Sequence, residues 1–159
     1  MSLKTYKPYT KSTRSTILID RKGIWKGSPI KSLTRGKRSS GGRNNLGRIT
    51  SRSKGAGHKK RYRIIDFYRN KVDVMGKVER IEYDPNRTSY IALIKYEDNT
   101  QTYIICPHDL KVGDSIVSGK AKEIKIGNNM PLMDIPPGTL IHNVELIEGN
   151  GGKLARSAG

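Results

Sequence analysis

Eleven basic side chains crowd into residues 35–63: Arg35, Lys37, Arg38, Arg43, Arg48, Arg52, Lys54, Lys59, Lys60, Arg61 and Arg63. Glycines at 36, 41, 42, 47, 55 and 57 are scattered among them. These residue types suit a phosphate backbone. The arginine guanidinium grips a phosphate through a two-pronged fork. Glycine lets the main chain come close enough to offer its own N–H groups. Asn44 and Asn45 can hydrogen-bond base edges or 2′-hydroxyls, and His58 lies inside the basic run. Tyr62 and Tyr68 stand beside arginines, where a base could stack. The basic stretch reaches on to Arg69. The competing reading is a solvated, disordered linker, but so dense a cation run with so few acids repels itself unless a polyanion neutralises it. Neutralising roughly six to ten phosphates would cost about three to five decades of affinity between low and moderate salt.

Other chemistry finds less support. Gly42-Arg43-Asn44-Asn45-Leu46-Gly47-Arg48-Ile49 has the glycine spacing of a triphosphate-cradling loop. Arg48, however, stands at the lysine position, and Ile49 stands where a Ser or Thr would hold magnesium. With no strand-then-helix setting, an NTPase site is rejected. Cys106 and His108 lie two apart without a second ligand pair, which argues against zinc. His142 falls on an expected strand, where a packed or surface imidazole is the ordinary case. No nucleophile, base and orienting group can be assembled, so the chain is not expected to be an enzyme.

The charge is distributed as unevenly as the motif. Residues 1–71 hold 21 Lys/Arg against 2 Asp/Glu, a net +19, whereas residues 72–159 hold 10 against 12, a net −2. A polycation is therefore joined to a near-neutral domain, and its partner should be nucleic acid or an acidic membrane surface. Hydrophobic residues make up 34%, which suits one compact core with a large polar remainder. No apolar run approaches the ~20 residues that span a bilayer. Cys106 is the single cysteine, so no intrachain disulfide can form. Met1 to Thr16 is basic, acid-free and rich in Ser/Thr, a weak likeness to a transit peptide that Pro8 works against.

The elements that must position these residues are mostly β. Residues 1–16 read as an extended arm, and Thr16 to Asp20 as a short β-prone run. Trp25 follows among turn formers, undecided between packing and stacking. Residues 31–63 show neither helical nor strand periodicity and should order only against a partner. From Tyr62 onward, short strands are expected: Val72 to Tyr83, Ser89 to Tyr96, Thr100 to Cys106 and Ser115 to Val117. The second and third read as a hairpin around Glu97-Asp98-Asn99. Four or five strands in so short a stretch suggest a small β-barrel, of which the oligonucleotide-binding barrel is one form. Tyr83, Tyr90, Tyr96 and Tyr103 divide between barrel packing and base stacking. Thr139 to Ile147 reads as a further strand in a second unit.

Several long motifs resemble one family, the universal second protein of the large ribosomal subunit, the L-two family, in its bacterial or organellar form. They are Ser40 to Thr50, Gly57 to Phe67, Glu82-Tyr83-Asp84-Pro85-Asn86-Arg87-Thr88, Gly138 to Leu146 and Gly151 to Gly159. The start, Met1 to Arg14, is similar too, which makes it mature sequence. The resemblance implies an extended basic rRNA-binding arm over 1–61, an oligonucleotide-binding barrel over 62–124 and, over 125–159, the start of an SH3-like barrel left incomplete by the chain end. Arg87 and Arg156, inside these motifs, join the rRNA-binding candidates. The implied role is a structural constituent of the large subunit, binding its rRNA and neighbouring ribosomal proteins. It would support subunit association and the peptidyl-transferase region, where catalysis belongs to RNA. The alternative is a free RNA-binding regulator or RNA chaperone on the same barrel. No cofactor is expected, and any structural magnesium would come through the rRNA.

Two positions depart from the family pattern. Ser53 stands where a basic or ring-bearing residue is usual, and Ala56 replaces a glycine, which puts close backbone approach there in question. The family also continues well past residue 159. A separate chain supplying the C-terminal half, as from a split gene, and a truncation both account for that. Richness in Lys, Ile, Asn and Tyr points to an AT-rich genome, so the expected place is a ribosome in the bacterial cytoplasm or mitochondrial matrix.

Overall fold

The computed structural model describes residues 3–55 and 57–158, so expectations resting on Met1, Ala56 and Gly159 lie outside the described residues. The chain is mostly β. Its elements run β1 Leu3–Thr5, α1 Lys11–Arg14, β2 Ile17–Ile19, a 3-10 turn Lys31–Leu33, β3 Thr34–Lys37, β4 Lys60–Arg63, β5 Gly76–Glu82, β6 Ile91–Tyr96, β7 Gln101–Ile105, β8 Ser115–Ile116 and a second 3-10 turn Leu132–Asp134.

The centre is an antiparallel sheet ordered β7-β6-β5-β8. The expected hairpin is present as β6 and β7, with Ile91 opposite Ile105 and Lys95 opposite Gln101. Its turn places Asn99 at φ 61, and the Asn99 N–H donates to the Tyr96 carbonyl. Asparagine tolerates that left-handed conformation better than most residues. β5 pairs with β6 through a bulge between Val78 and Arg80, which bends the strand. Gly76 opens β5 opposite Tyr96 of β6, and a Cβ there would come within 2.6 Å of the Ile94 side chain. β5 begins four residues later than expected because Asp73, at φ 60, turns the chain before it.

β6 explains the thickness of the core. Its run Ile91-Ala92-Leu93-Ile94 is buried on both faces, as an uninterrupted apolar strand must be. On one face Ala92 and Ile94 pack with Val78, Tyr96, Ile104, Leu110 and Ile116. On the other, Ile91 and Leu93 pack with Ile65, Tyr103 and Ile105, under a cover of Ile30, Leu33 and Phe67. The cover is a difference from expectation. Residues 30–33 fall within the expected extended arm, yet they roof the sheet.

A buried polar chain reinforces that roof. The Tyr103 hydroxyl accepts from the Ile30 N–H at 3.1 Å and donates to Glu82 Oε1 at 3.0 Å. Arg80 Nε donates to the same oxygen at 2.7 Å. Burial raises the Tyr103 pKa, so the phenol stays a donor. Tyr103 and Tyr96 are thus core residues, 0% and 3% exposed, while Tyr83 is 38% exposed.

The N-terminal arm is more regular than expected. β1 pairs antiparallel with β2, Leu3 opposite Ile19, and a reciprocal Thr10–Thr13 capping box starts the short α1. The far end is less regular. Thr139 to Ile147 forms no strand, only an isolated bridge between Val144 and Leu154. β-propensity is fulfilled only when a second strand supplies the ladder, and none of the described residues does so for this run. Leu140, Leu146 and Ile147 stand exposed as a result. Among the described residues no helix is long and apolar enough to cross a membrane.

Candidate nucleic-acid interface

The basic segment, expected to lack regular structure, is a hairpin. β3 and β4 pair antiparallel with Thr34 opposite Arg63, Arg35 opposite Tyr62, Gly36 opposite Arg61 and Lys37 opposite Lys60. The ladder escaped the sequence pattern because β3 has no apolar periodicity of its own. It is held by β4 and anchored at its root, where the Ile64 N–H donates to the Leu33 carbonyl. Cross-strand partners share a face, so Arg35, Lys37, Lys60 and Tyr62 line one side and Arg61 and Arg63 the other. Lys37 directly opposite Lys60 is a like-charge pair, which destabilises the ladder unless something anionic lies against it.

The strands hold a long loop, and its tip is built by Gly42 and Asn44. The Thr50 and Ser51 N–H groups both donate to the Gly42 carbonyl, at 3.0 and 3.1 Å. Gly42 is buried at φ 76, and a Cβ there would overlap the Ser51 carbonyl oxygen. Asn44 Oδ1 accepts from the Leu46 and Arg48 N–H groups at 3.0 Å each. That oxygen, expected at a base edge, shapes the tip instead. Arg43, bridged to Ile49, and Asn45 and Arg48 are presented outward by it.

All ten basic residues from Arg35 to Arg61 are exposed, and the sequence has no acid between Asp20 and Asp66. Among the described residues none of the ten makes an ion pair; every pair formed lies outside this segment. Arg52, Lys54 and Lys59 are among them in the loop, and His58 is exposed beside them.

The candidates beyond Arg61 behave differently. Asp84 is fully buried and takes Arg87 Nε on one oxygen at 2.6 Å. Its other oxygen takes two donors from Asn86, with Arg63 Nη1 at 4.0 Å. Asn86 Nδ2 also donates to the Arg61 carbonyl, which ties this turn to the end of β4. Arg63 and Arg87 are therefore largely committed inward, with Arg87 5.8 Å from the Tyr62 ring centre. Arg69, expected at the RNA face, is 9% exposed and donates to the Gly127 carbonyl at 3.2 Å. Burial lowers its pKa. Local sequence could not show this, because the Gly127 partner is remote in the chain. Arg156 is exposed and lies over Phe67 at 4.7 Å. Tyr68 is 53% exposed and free to stack.

Elsewhere the reactive side chains are quiet. Burial pushes the Cys106 thiol up to about 11, so it remains protonated. His108 is exposed beside Asp109, and burial lowers the pKa of His142. Among the described residues no three His, Cys, Asp or Glu side chains converge to hold a metal.

Comparison with known proteins decides the lineage. A family model described as Ribosomal Proteins L2, RNA binding N-terminal domain matches residues 30–118, and one described as Ribosomal Proteins L2, C-terminal domain matches residues 125–159. The chain belongs to the ribosomal L2 family. It is 62% identical over 160 residues to the large ribosomal subunit protein uL2 of Pelagibacter ubique, covering 100% of this chain and 57% of that protein. The uL2 proteins of Gluconacetobacter diazotrophicus and Rhodopseudomonas palustris are 60% and 59% identical over 159 residues, again with all of this chain covered and 58% and 57% of theirs. The chain thus spans little more than half the length of the L2 relatives it matches. The RNA-binding L2 match begins at Ile30, the first residue of the roof over the sheet.

Proposed function

We propose that this chain is a structural constituent of the large ribosomal subunit, holding large-subunit rRNA with the basic hairpin of residues 34–63. The observation that carries the reading is the set of ten exposed cations on the β3–β4 ladder and its loop, none of them in an ion pair among the described residues, with Lys37 set against Lys60. A polyanion laid against this surface relieves its mutual repulsion. Membership of the L2 family and the name of its matching RNA-binding domain support the same reading. Arg35, Lys37, Arg38, Arg43, Arg48, Arg52, Lys54, Lys59, Lys60 and Arg61 grip phosphates, with Asn45, His58 and Tyr68 placed to meet bases or sugars. The four-stranded sheet is the barrel that aims the hairpin, and residues 30–33 belong with it.

On this reading the protein works beside other ribosomal proteins, supports subunit association and the peptidyl-transferase region, and performs no catalysis itself. The ribosome is of the bacterial type, in a bacterial cytoplasm or a mitochondrial matrix. Binding of the purified chain to large-subunit rRNA, measured across a salt series, tests the proposal. A steep fall of log affinity with log salt is expected, since each phosphate contact contributes about 0.9 to the slope. Absent or salt-insensitive binding would overturn it.

A further inference from the structure

The segment between Asp20 and Pro29 lies along the end of β5. There the Trp25 N–H donates to the Ile81 carbonyl at 2.9 Å, and Trp25 bridges to Glu82. This fixes the chain's single tryptophan on the wall of a cleft of about 280 Å³. Gly27 lies close to the benzo edge and ring nitrogen of the indole, where a Cβ would fall 2.6 Å from ring atoms. The Arg80 guanidinium lies 4.7 Å from the ring centre. The indole is nevertheless 48% exposed. Tyr83, also exposed, lines the same cleft with the Arg21 guanidinium 3.7 Å from its ring centre. Lys26 adds positive charge, and the one lining carboxylate, Glu82, is already held by Arg80 and Tyr103. Arg63, the last residue of β4, lines the cleft too, so it opens at the foot of the basic hairpin.

Two exposed rings beside Arg21 and Lys26, which form no ion pair among the described residues, match one chemical partner, an unstacked nucleotide. A base offers a π-face to the rings, and its phosphate offers charge to Arg21 and Lys26. We propose that this cleft takes one unpaired nucleotide of the bound RNA, its base against Trp25 and Tyr83. The hairpin, by contrast, grips backbone without regard to pairing. The proposal rests on the RNA-binding reading above and deepens it by naming where a splayed-out base goes.

The full chain provides its own reporter, since Trp25 is its only tryptophan. A dye-labelled RNA single strand of about eight nucleotides is expected to quench Trp25 fluorescence with the same midpoint as its anisotropy rise. A blunt RNA duplex is expected to raise anisotropy without quenching. Tyr83→Ala should weaken the single strand about five- to a hundredfold while leaving the duplex unchanged. Tyr83→Phe, which keeps the ring, should restore binding. Arg21→Ala, outside the sheet, should give the same strand-selective loss if Tyr83→Ala fails to fold. Single-strand binding without quenching, or equal losses for strand and duplex, would overturn the cleft and leave the hairpin reading standing. If neither RNA binds, the RNA-binding reading itself falls and the cleft with it. Quenching by adenosine monophosphate at concentrations as low as the oligonucleotide's would assign the cleft to a free nucleotide and overturn its assignment to RNA.

Discussion

The hairpin of β3 and β4 and the hairpin of β6 and β7 are both antiparallel ladders, yet they complete themselves in opposite ways. The β6–β7 pair is packed on both faces, and its buried Tyr103 hydroxyl finds its partners within the chain, in Glu82 and Ile30. The β3–β4 pair exposes its cations and sets Lys37 against Lys60. One ladder is a finished piece of folding. The other is half of an interface, its missing half being anionic. Strand geometry alone therefore says little about role; what separates the two is that one ladder is packed into the core and the other stands exposed with a dense set of cations.

The largest expected effect is at Asp84, where answered and unanswered charge meet. Asp84→Ala leaves Arg63 and Arg87 without their buried partner and should cost about 3–5 kcal/mol of stability, read from urea unfolding. The salt slope of RNA binding by the folded fraction should stay unchanged, because the exposed cations are untouched. A flattened slope would show that Asp84 belongs to the interface, and the contrast would break.

The mirror experiment neutralises the hairpin. Replacing Lys37, Arg38, Lys59 and Lys60 together by alanine should reduce the slope of log affinity against log salt by about 3 to 4 units. Affinity near 200 mM salt should fall by about two to three decades. The melting temperature should hold or rise, since a like-charge pair is removed. A loss of stability instead would make these side chains part of the fold. Tyr103→Phe probes the polar chain beneath the roof. It should cost about 1–3 kcal/mol by leaving Glu82 and the Ile30 N–H each short of a partner, with binding of RNA by folded molecules preserved.

The smallest effects are in acid. Burial holds the His142 pKa below its ordinary 6.5. The unfolded chain therefore takes up that proton first, and stability should decline as pH drops below 6.5; substituting His142→Gln should remove that part of the decline. Hydrogen bonds from Lys71 and Thr100 hold exposed Asp98 at about 2, below its ordinary 3.8. Its contribution is present above that ordinary value and lost as pH falls through about 2. An NMR titration of Asp98 returning an ordinary midpoint would mean the contact to Lys71 does not persist in solution.

Some of this was legible in the linear sequence because its cause is local. The cation density needs only counting, and the β6–β7 hairpin follows from a run of β-formers on either side of Glu97-Asp98-Asn99. Gly42 suits close approach to a phosphate by its residue type, but the tip brings it against the chain's own Ser51 carbonyl, a contact that needs the closed loop. Non-local causes were hidden. Arg69 looked like its basic neighbours until the Gly127 carbonyl took it in. Thr139 to Ile147 had every strand-forming residue except a partner strand.

The chain's own composition, then, determined that it carries a polycation beside a β domain, because charge and β-propensity are properties of residues. Only the tertiary structure decided which arginines face outward, that residues 30–33 roof the sheet, and that Trp25 and Tyr83 line one cleft. Those are properties of pairs of residues distant in sequence, and burial and hydrogen bonding assign them only when the chain has closed on itself.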